Sequence, residues 1–297
     1  LQQGNSYCWV HNCDFFYGDA GSDADQVKGD GALDTKKSHN VTHSYNHFFD
    51  NGKCNLQGAN SSDTSNYITY HHSWYDHSDS RHPRVRVATV HVYNNYYDGN
   101  AKYGIGSTTG SSIFAENNYF RNCKEPMLIS AQGSEGGLVL SGETGGMIKA
   151  YGNIIEGAEK FVPYSENNTD FDAYVVSSRD ESVPSSVKSK SGGNTYNNFD
   201  TASDFYSYSV DAAEDVPSIV MSKAGRVDGG DFKWEFDNAV DDTSYAVNDA
   251  LKAALIAYDD SILAIGSGFK EDVSNPPQVT TASSSNTTEK TTTKTTT

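Results

Sequence analysis

YITYHHSWYDHSDSRHPRVR, Tyr67–Arg86, opens on an eight-residue unit that recurs along the chain and closes on two arginines five positions apart, Arg81 and Arg86. The unit reads apolar–x–apolar, then a polar pair, then two aromatic or apolar residues. VTHSYNHF (Val41–Phe48), ITYHHSWY (Ile68–Tyr75), VHVYNNYY (Val90–Tyr97), IFAENNYF (Ile113–Phe120) and IKAYGNII (Ile148–Ile155) fall into one register, and CWVHNCDF (Cys8–Phe15) fits more loosely. The later spacings of 27, 22, 23 and 35 residues are those of a solenoid coil, the longest carrying an inserted loop. Alternation within each unit predicts a short strand followed by a turn. The sixth position is Cys13, Asn46, Ser73, Asn95, Asn118 and Asn153. Asn suits a turn because it tolerates left-handed backbone, and stacked amides hydrogen-bond from rung to rung. An antiparallel sandwich also repeats strand and turn. Five copies sharing a polar ladder position and trailing bulky residues favour a right-handed parallel β-helix instead.

Composition agrees with a solenoid that exposes much polar surface. Of the 297 residues 36% are hydrophobic and 12% aromatic, enough for one large core. No apolar run reaches the length of a membrane helix. The chain opens without a signal-like segment, and Leu1 stands directly before the first unit, which is the expectation for a fragment. Residues 1–270 are expected to form one β-helix domain, with a flank from about 200 packing on the stack. Within that flank NDALKAALIAY (Asn248–Tyr258) predicts a helix capped by Asn248, and Trp234, Phe236 and Tyr245 are candidates for the packing contact. Residues 271–297 form a Ser/Thr-rich disordered linker: from Asn275 there are 10 Thr, 3 Ser, 2 Pro and no aromatic residue. Such a linker implies a further module in the parent protein.

The net charge of −17 has the wrong sign for a nucleic-acid binder. Charge is distributed unevenly, however. Lys28, Lys36, Lys37, Lys53, Arg81, Arg84 and Arg86 are 7 of the 22 basic residues and fall within one third of the β-helix, a local patch able to hold an acidic polymer. Asp30 and Asp34 flank a glycine in KGDGALDTK, with Asp19, Asp23 and Asp25 upstream. Hard oxygens on a turn suit Ca²⁺, although such aspartates also serve simply as turn formers. His71, His72, His77 and His82 lack a zinc spacing and read as structural. Cys8, Cys13, Cys54 and Cys123 allow three pairings if all are oxidised. Asn60, Asn167 and Asn286 begin glycosylation triplets, a weak signal in so polar a chain.

Tyr67–Arg86 followed by TVHVYNNYYDG, with DGALD and the Lys53 strand upstream, resembles the family 1 polysaccharide lyases, the pectate lyases. The resemblance covers roughly residues 5–270, and its core from Asp30 to Asn95 is specific because several motifs occur in order. It implies a secreted, Ca²⁺-dependent monomer that cleaves α-1,4-polygalacturonate to 4,5-unsaturated oligogalacturonates. It implies Ca²⁺ ligands at Asp30 and Asp34, substrate contacts from Lys53 and Arg86, and a base at Arg81 in the Arg-x-Pro-x-x-Arg motif. Arginine ordinarily stays protonated. Crowding by Lys53, Arg86 and Ca²⁺ is expected to disfavour that charge and to raise activity at alkaline pH.

Two departures from the family pattern follow. The family's second pair of Ca²⁺-binding aspartates lies upstream of Cys8–Val10 and is missing, so weak or absent activity is expected of residues 1–297 alone, with Asp23 or Asp25 at best a partial substitute. Ser73 stands where the ladder usually has Asn, at an expected cost of one inter-rung hydrogen bond. Two other readings remain: a pectin lyase acting on methyl-esterified polymer without Ca²⁺, and a non-catalytic β-helix that only binds polysaccharide.

Overall fold

The computed structural model describes residues 1–258 apart from 19, 24–25, 64–66, 136–139, 141 and 228–231. Asp19, Asp25, Asn286 and the whole predicted linker lie outside the described residues. Residues 257–297 form a second unit, of which only the first two residues are described.

Every coil contributes up to three short strands, and these stack into three parallel sheets. The first sheet holds β1 (Ser6–His11), β3 (His39–Ser44), β6 (Ile68–His71), β9 (Thr89–Tyr93), β12 (Ser112–Glu116), β15 (Met147–Tyr151) and β17 (Tyr174–Val175). The second holds β2 (Asp14–Phe15), β4 (His47–Phe49), β7 (Trp74–Asp76), β10 (Tyr96–Asp98), β13 (Tyr119–Arg121) and β16 (Ile154–Glu156). A shorter third sheet holds β5 (Leu56–Gln57), β8 (Arg84–Arg86), β11 (Tyr103–Thr108) and β14 (Glu125–Ile129). From β3 to β14 the chain visits first, second and third sheet in strict rotation, which is a parallel β-helix.

The register is the one the repeat predicts. Cys8 lies opposite Val41, Val41 opposite Ile68, Ile68 opposite Val90, Val90 opposite Ile113 and Ile113 opposite Ile148. The two bulky residues closing each unit are not the end of a turn, as the sequence suggested; they start a second strand. Their second members stack through the core as Phe15, Phe48, Tyr75, Tyr97 and Phe120, with ring centroids 4.1 to 5.1 Å apart. Offset stacking of this kind adds to the area the rings bury. The two buried hydroxyls of the stack are satisfied, Tyr75 donating to Asn55 Oδ1 at 3.0 Å and Tyr97 to the His82 carbonyl at 2.8 Å.

The polar ladder forms at the predicted position, but for a different backbone reason. Left-handed φ belongs to the fifth residue of the unit: Asn12, Tyr45, His72, Asn94 and Asn117 have φ of 46 to 53°, and Gly152 has 65°. The sixth residue turns inward and accepts an amide from the previous rung: Asn46 from Cys13, Ser73 from Asn46, Asn95 from Ser73, Asn118 from Asn95 and Asn153 from Asn118. The Asn side chains also donate backwards, to the carbonyls of Val10, Tyr70, Val92 and Ala115. Ser73 is too short to do both jobs well; its hydroxyl takes the Asn46 N–H at 3.3 Å, the longest of these ladder bonds. A second ladder, absent from the sequence reading, runs through Asn51, Ser78 and Asn100 after the second sheet.

The flank packs on the outside of the coil. Helix α1 (Val216–Lys223) buries Val216 and Val220 against Tyr96, beside Trp74 and Tyr119. This contact, not Tyr245, supplies the apolar seam; Tyr245 is 63% exposed, while Phe236 stacks on His77 at 4.3 Å. After α2 (Asn238–Asp241), helix α3 (Asp249–Ala257) starts as predicted, with Asn248 Oδ1 accepting the Leu251 N–H at 3.0 Å. Farther up, Lys149 and Asp200 form a fully buried ion pair at 2.6 Å that joins the flank to β15. The four cysteines are unpaired. No described helix is long and apolar enough to cross a membrane.

Candidate active site

Four of the five site residues expected from the sequence lie on segments that pass from the second sheet to the next coil. Lys53 follows β4, Arg81 precedes β8 and Arg86 ends it, while Asp30 and Asp34 lie on the long connection from β2 to β3. Backbone hydrogen bonds align these segments. Ala32 N–H donates to the Lys53 carbonyl at 2.9 Å, Cys54 N–H to Ser80 at 3.0 Å and Asn55 N–H to Arg81 at 2.7 Å. As a result one carboxylate oxygen, Asp30 Oδ1, faces two cations from the following rungs, Lys53 Nζ at 3.5 Å and Arg81 Nη1 at 3.9 Å. The two cations are mostly enclosed, whereas the Asp30 side chain is 64% exposed. Arg81 has a left-handed φ of 63°. Burial pushes the Tyr103 phenol up, while Arg84, Arg81 and Arg86 pull it back toward its charged form.

Asp34 and Arg86 stand apart from this cluster, each with its own partner. Asp34 Oδ1 accepts the Leu56 N–H at 2.9 Å and Oδ2 lies 3.5 Å from Lys36 Nζ. Arg86 Nε donates to both oxygens of Glu143, at 2.8 and 3.0 Å, and Arg84 Nη2 donates to the same carboxylate at 2.8 Å. Burial works to raise the Glu143 carboxyl, but the hydrogen bond and charge of Arg86, followed by Arg84, hold it below the usual range. Sequence reading missed Glu143; the only trace was the 35-residue spacing that announced a loop between β13 and β15.

The basic patch is also smaller than the sequence implied. Lys28 is buried, with its ammonium 2.5 Å from Asp50 Oδ1 and 2.8 Å from Asp79 Oδ1, and Arg84 is 4% exposed. Lys36, Lys37, Lys53, Arg81 and Arg86 remain of the seven, Lys36 and Lys37 more open to solvent and Lys53 mostly enclosed.

Seven of the nine histidines are buried or half-buried. His43 stacks on Tyr70, His71 on Tyr93 and His91 on Phe114, and His82 packs at a tilt against Tyr75. Burial pushes His43, His71 and His82 down to about 3. Among the described residues no three His, Cys, Asp or Glu side chains group to hold a metal ion. Asp30 and Asp34 offer oxygens of the kind Ca²⁺ prefers, on one glycine-bearing loop. Two carboxylates supply only part of the roughly six to eight oxygens that ion takes, the remainder being open to water or substrate.

A family model described as pectate lyase matches residues 1–228. Residues of this chain are 35% identical over 130 positions to the pectate trisaccharide-lyase of Bacillus licheniformis, covering 43% of this chain and 37% of that protein. They are 36% identical over 133 positions to pectate lyase 3 of Pectobacterium carotovorum, covering 43% and 36%. The chain therefore spans a little over a third of the length of these curated relatives. Among solved structures, a pectate lyase from a Paenibacillus species aligns with TM-score 0.53 at 16% identity, over 76% of this chain and 62% of that one. A pectate lyase from a Bacillus species, solved with trigalacturonate, aligns with TM-score 0.52 at 23% identity, over 76% and 61%. These two likenesses establish the fold.

Proposed function

The chain belongs to the pectate lyase family, and from that premise we propose that it cleaves α-1,4-linked polygalacturonate by Ca²⁺-dependent β-elimination, leaving 4,5-unsaturated oligogalacturonates. The observation that carries the proposal is the convergence of Lys53 and Arg81 on one exposed carboxylate oxygen. A pair of enclosed cations facing a single oxyanion is a seat for a uronate carboxylate.

In this reading Lys53 and Arg86 hold substrate carboxylates, and Arg86 is kept in place by Glu143. A uronate's C5 proton lies α to its carboxylate, so cations on that group stabilise the charge that develops as the proton leaves. The Arg81 guanidine takes the C5 proton. The C5–H electrons become the C4–C5 double bond, the C4–O bond breaks, and the departing oxygen leaves with the neighbouring sugar and takes up a proton. Asp30 and Asp34 are the residues that would hold Ca²⁺, which when bound supplies further positive charge to the carboxylate. Because the substrate is a polymer, we place the activity outside the cell, in a monomer.

The test is ultraviolet absorbance of unsaturated product from polygalacturonate. Absorbance should rise with Ca²⁺, stop with chelator, and fall by about 10²–10⁴-fold on Arg81→Ala. The rate should climb at alkaline pH, where a base works best; an acidic optimum would remove Arg81 from the role of base. Chelator-resistant cleavage of methyl-esterified polymer would select a pectin lyase, and binding without any unsaturated product would select a non-catalytic β-helix.

A further inference from the structure

Beneath the cluster formed by Asp30, Lys53 and Arg81 lies a set of buried charges that the mechanism above does not use. The Lys28 ammonium bridges Asp50 and Asp79, and the three side chains are 1%, 6% and 3% exposed. Tyr17 donates to the other oxygen of Asp50, and Lys102 Nζ lies 3.2 Å from the other oxygen of Asp79. Every member sits within three residues of a site residue or on an adjoining rung. Lys28 is two positions before Asp30, Asp50 three before Lys53, and Asp79 two before Arg81. The segments are also joined by backbone, Asp79 N–H donating to the Asn51 carbonyl at 2.8 Å. Packing is close as well: a methyl group added at Gly52, the residue before Lys53, would meet Lys28 Cβ at 3.3 Å.

Buried ion pairs are poor sources of stability, because desolvation offsets most of the attraction. What such a pair does well is fix which segments face each other. We infer that Lys28 is a positioning residue: by bridging Asp50 and Asp79 it locks the loop carrying Asp30 to the turns carrying Lys53 and Arg81. Lys28 therefore acts on the reaction through Lys53 and Arg81, without touching substrate. Its kinetic readout rests on the function proposed above, and its structural readout does not.

The experiment compares two variants of the intact protein. Lys28→Met leaves Asp50 without a cation and Asp79 with Lys102 alone, whereas Lys28→Met/Asp50→Asn/Asp79→Asn leaves no buried charge unpaired, Lys102 being partly exposed. Lys28→Met should lower kcat on polygalacturonate on the order of 100-fold, the size of effect an ångström of misplacement produces. The triple variant should recover the wild-type melting temperature without recovering kcat. Amide hydrogen exchange at Cys54 and Asn55 should accelerate in both variants while Val90 and Ile113 stay protected. Wild-type kcat in either variant overturns the inference. So does unchanged exchange at Cys54 and Asn55, whether or not the wild type cleaves pectate. A wild type that yields no unsaturated product, with exchange accelerated in the variants, instead refutes the proposed activity and upholds the lock.

Discussion

At the level of single residues, the site divides into what a local pattern can announce and what it cannot. Asp30, Lys53, Arg81 and Arg86 can be proposed from sequence because each lies in a short ordered motif. Glu143 cannot, since its partners Arg84 and Arg86 are 59 and 57 positions away and no motif marks it. Lys28 was misread for a related reason: nothing nearby in sequence shows that Asp50 and Asp79 will enclose it. His82, inside the arginine motif, illustrates what burial does to a titrating group. Its ring packs at a tilt against Tyr75, centroids 4.6 Å apart, and burial holds it neutral down to about 3. In the unfolded chain it titrates near 6.5. The folded value is the lower, so the unfolded state binds the extra proton and stability is lost as pH falls below about 6.5. The loss from this group is about 1.4 kcal/mol per pH unit until the folded value is reached. His82→Phe should remove that component, so urea unfolding from pH 7 to pH 4 should show the variant gaining steadily on the wild type.

For strands and turns, the eight-residue unit carried most of the information. It gave the register of the first six strands of the first sheet, because matching apolar positions must stack or the core would open, but not the seventh, Tyr174–Val175. It hid the third sheet, whose strands vary in length and in sequence from coil to coil: Leu56–Gln57 and Arg84–Arg86 share no pattern with Tyr103–Thr108. It also misplaced the left-handed residue by one position, since a hydrogen-bonding Asn and a backbone-permissive Asn look alike in sequence. Ser73→Asn should restore the missing backward bond and raise stability by about 0.5–1.5 kcal/mol. Asn118→Ala should cost about 1–3 kcal/mol, because the Asn95 N–H and the Val92 carbonyl lose buried partners. Urea midpoints at constant m-value would check both. Equal and opposite shifts are not expected, as one change adds a bond and the other strands two groups.

For the molecule as a whole, the flank closes over the coil at several places besides Phe236 on His77 and Asp200 on Lys149. Helix α1 covers Tyr96, and the Asp211 backbone carbonyl accepts from the side-chain amides of Asn94 and Asn117 while its carboxylate meets His72. Ending the chain at residue 208 removes Val216 and Val220 and uncovers Tyr96, Trp74 and Tyr119, which should lower stability by about 3 kcal/mol or more from the lost burial of the two valines alone. The same deletion should bring binding of a dye that reports exposed apolar surface; an unchanged midpoint without dye binding would show that the coil does not need its cover. The two ladders and the three sheets have a further consequence for how such a molecule can change. From Val41, Ile68, Val90, Ile113 and Ile148 the next seven residues are fixed in number, and all variation in coil length falls in the connection that follows. Asp30, Lys53, Arg81, Arg86 and Glu143 all lie in those connections or in the short third-sheet strands within them. One edge of the coil is thus a rigid gauge that insertions would jam, and the other is a row of independent slots. Loops can be lengthened, shortened or exchanged there one coil at a time, and selection can remodel what the protein grips without disturbing what holds it upright.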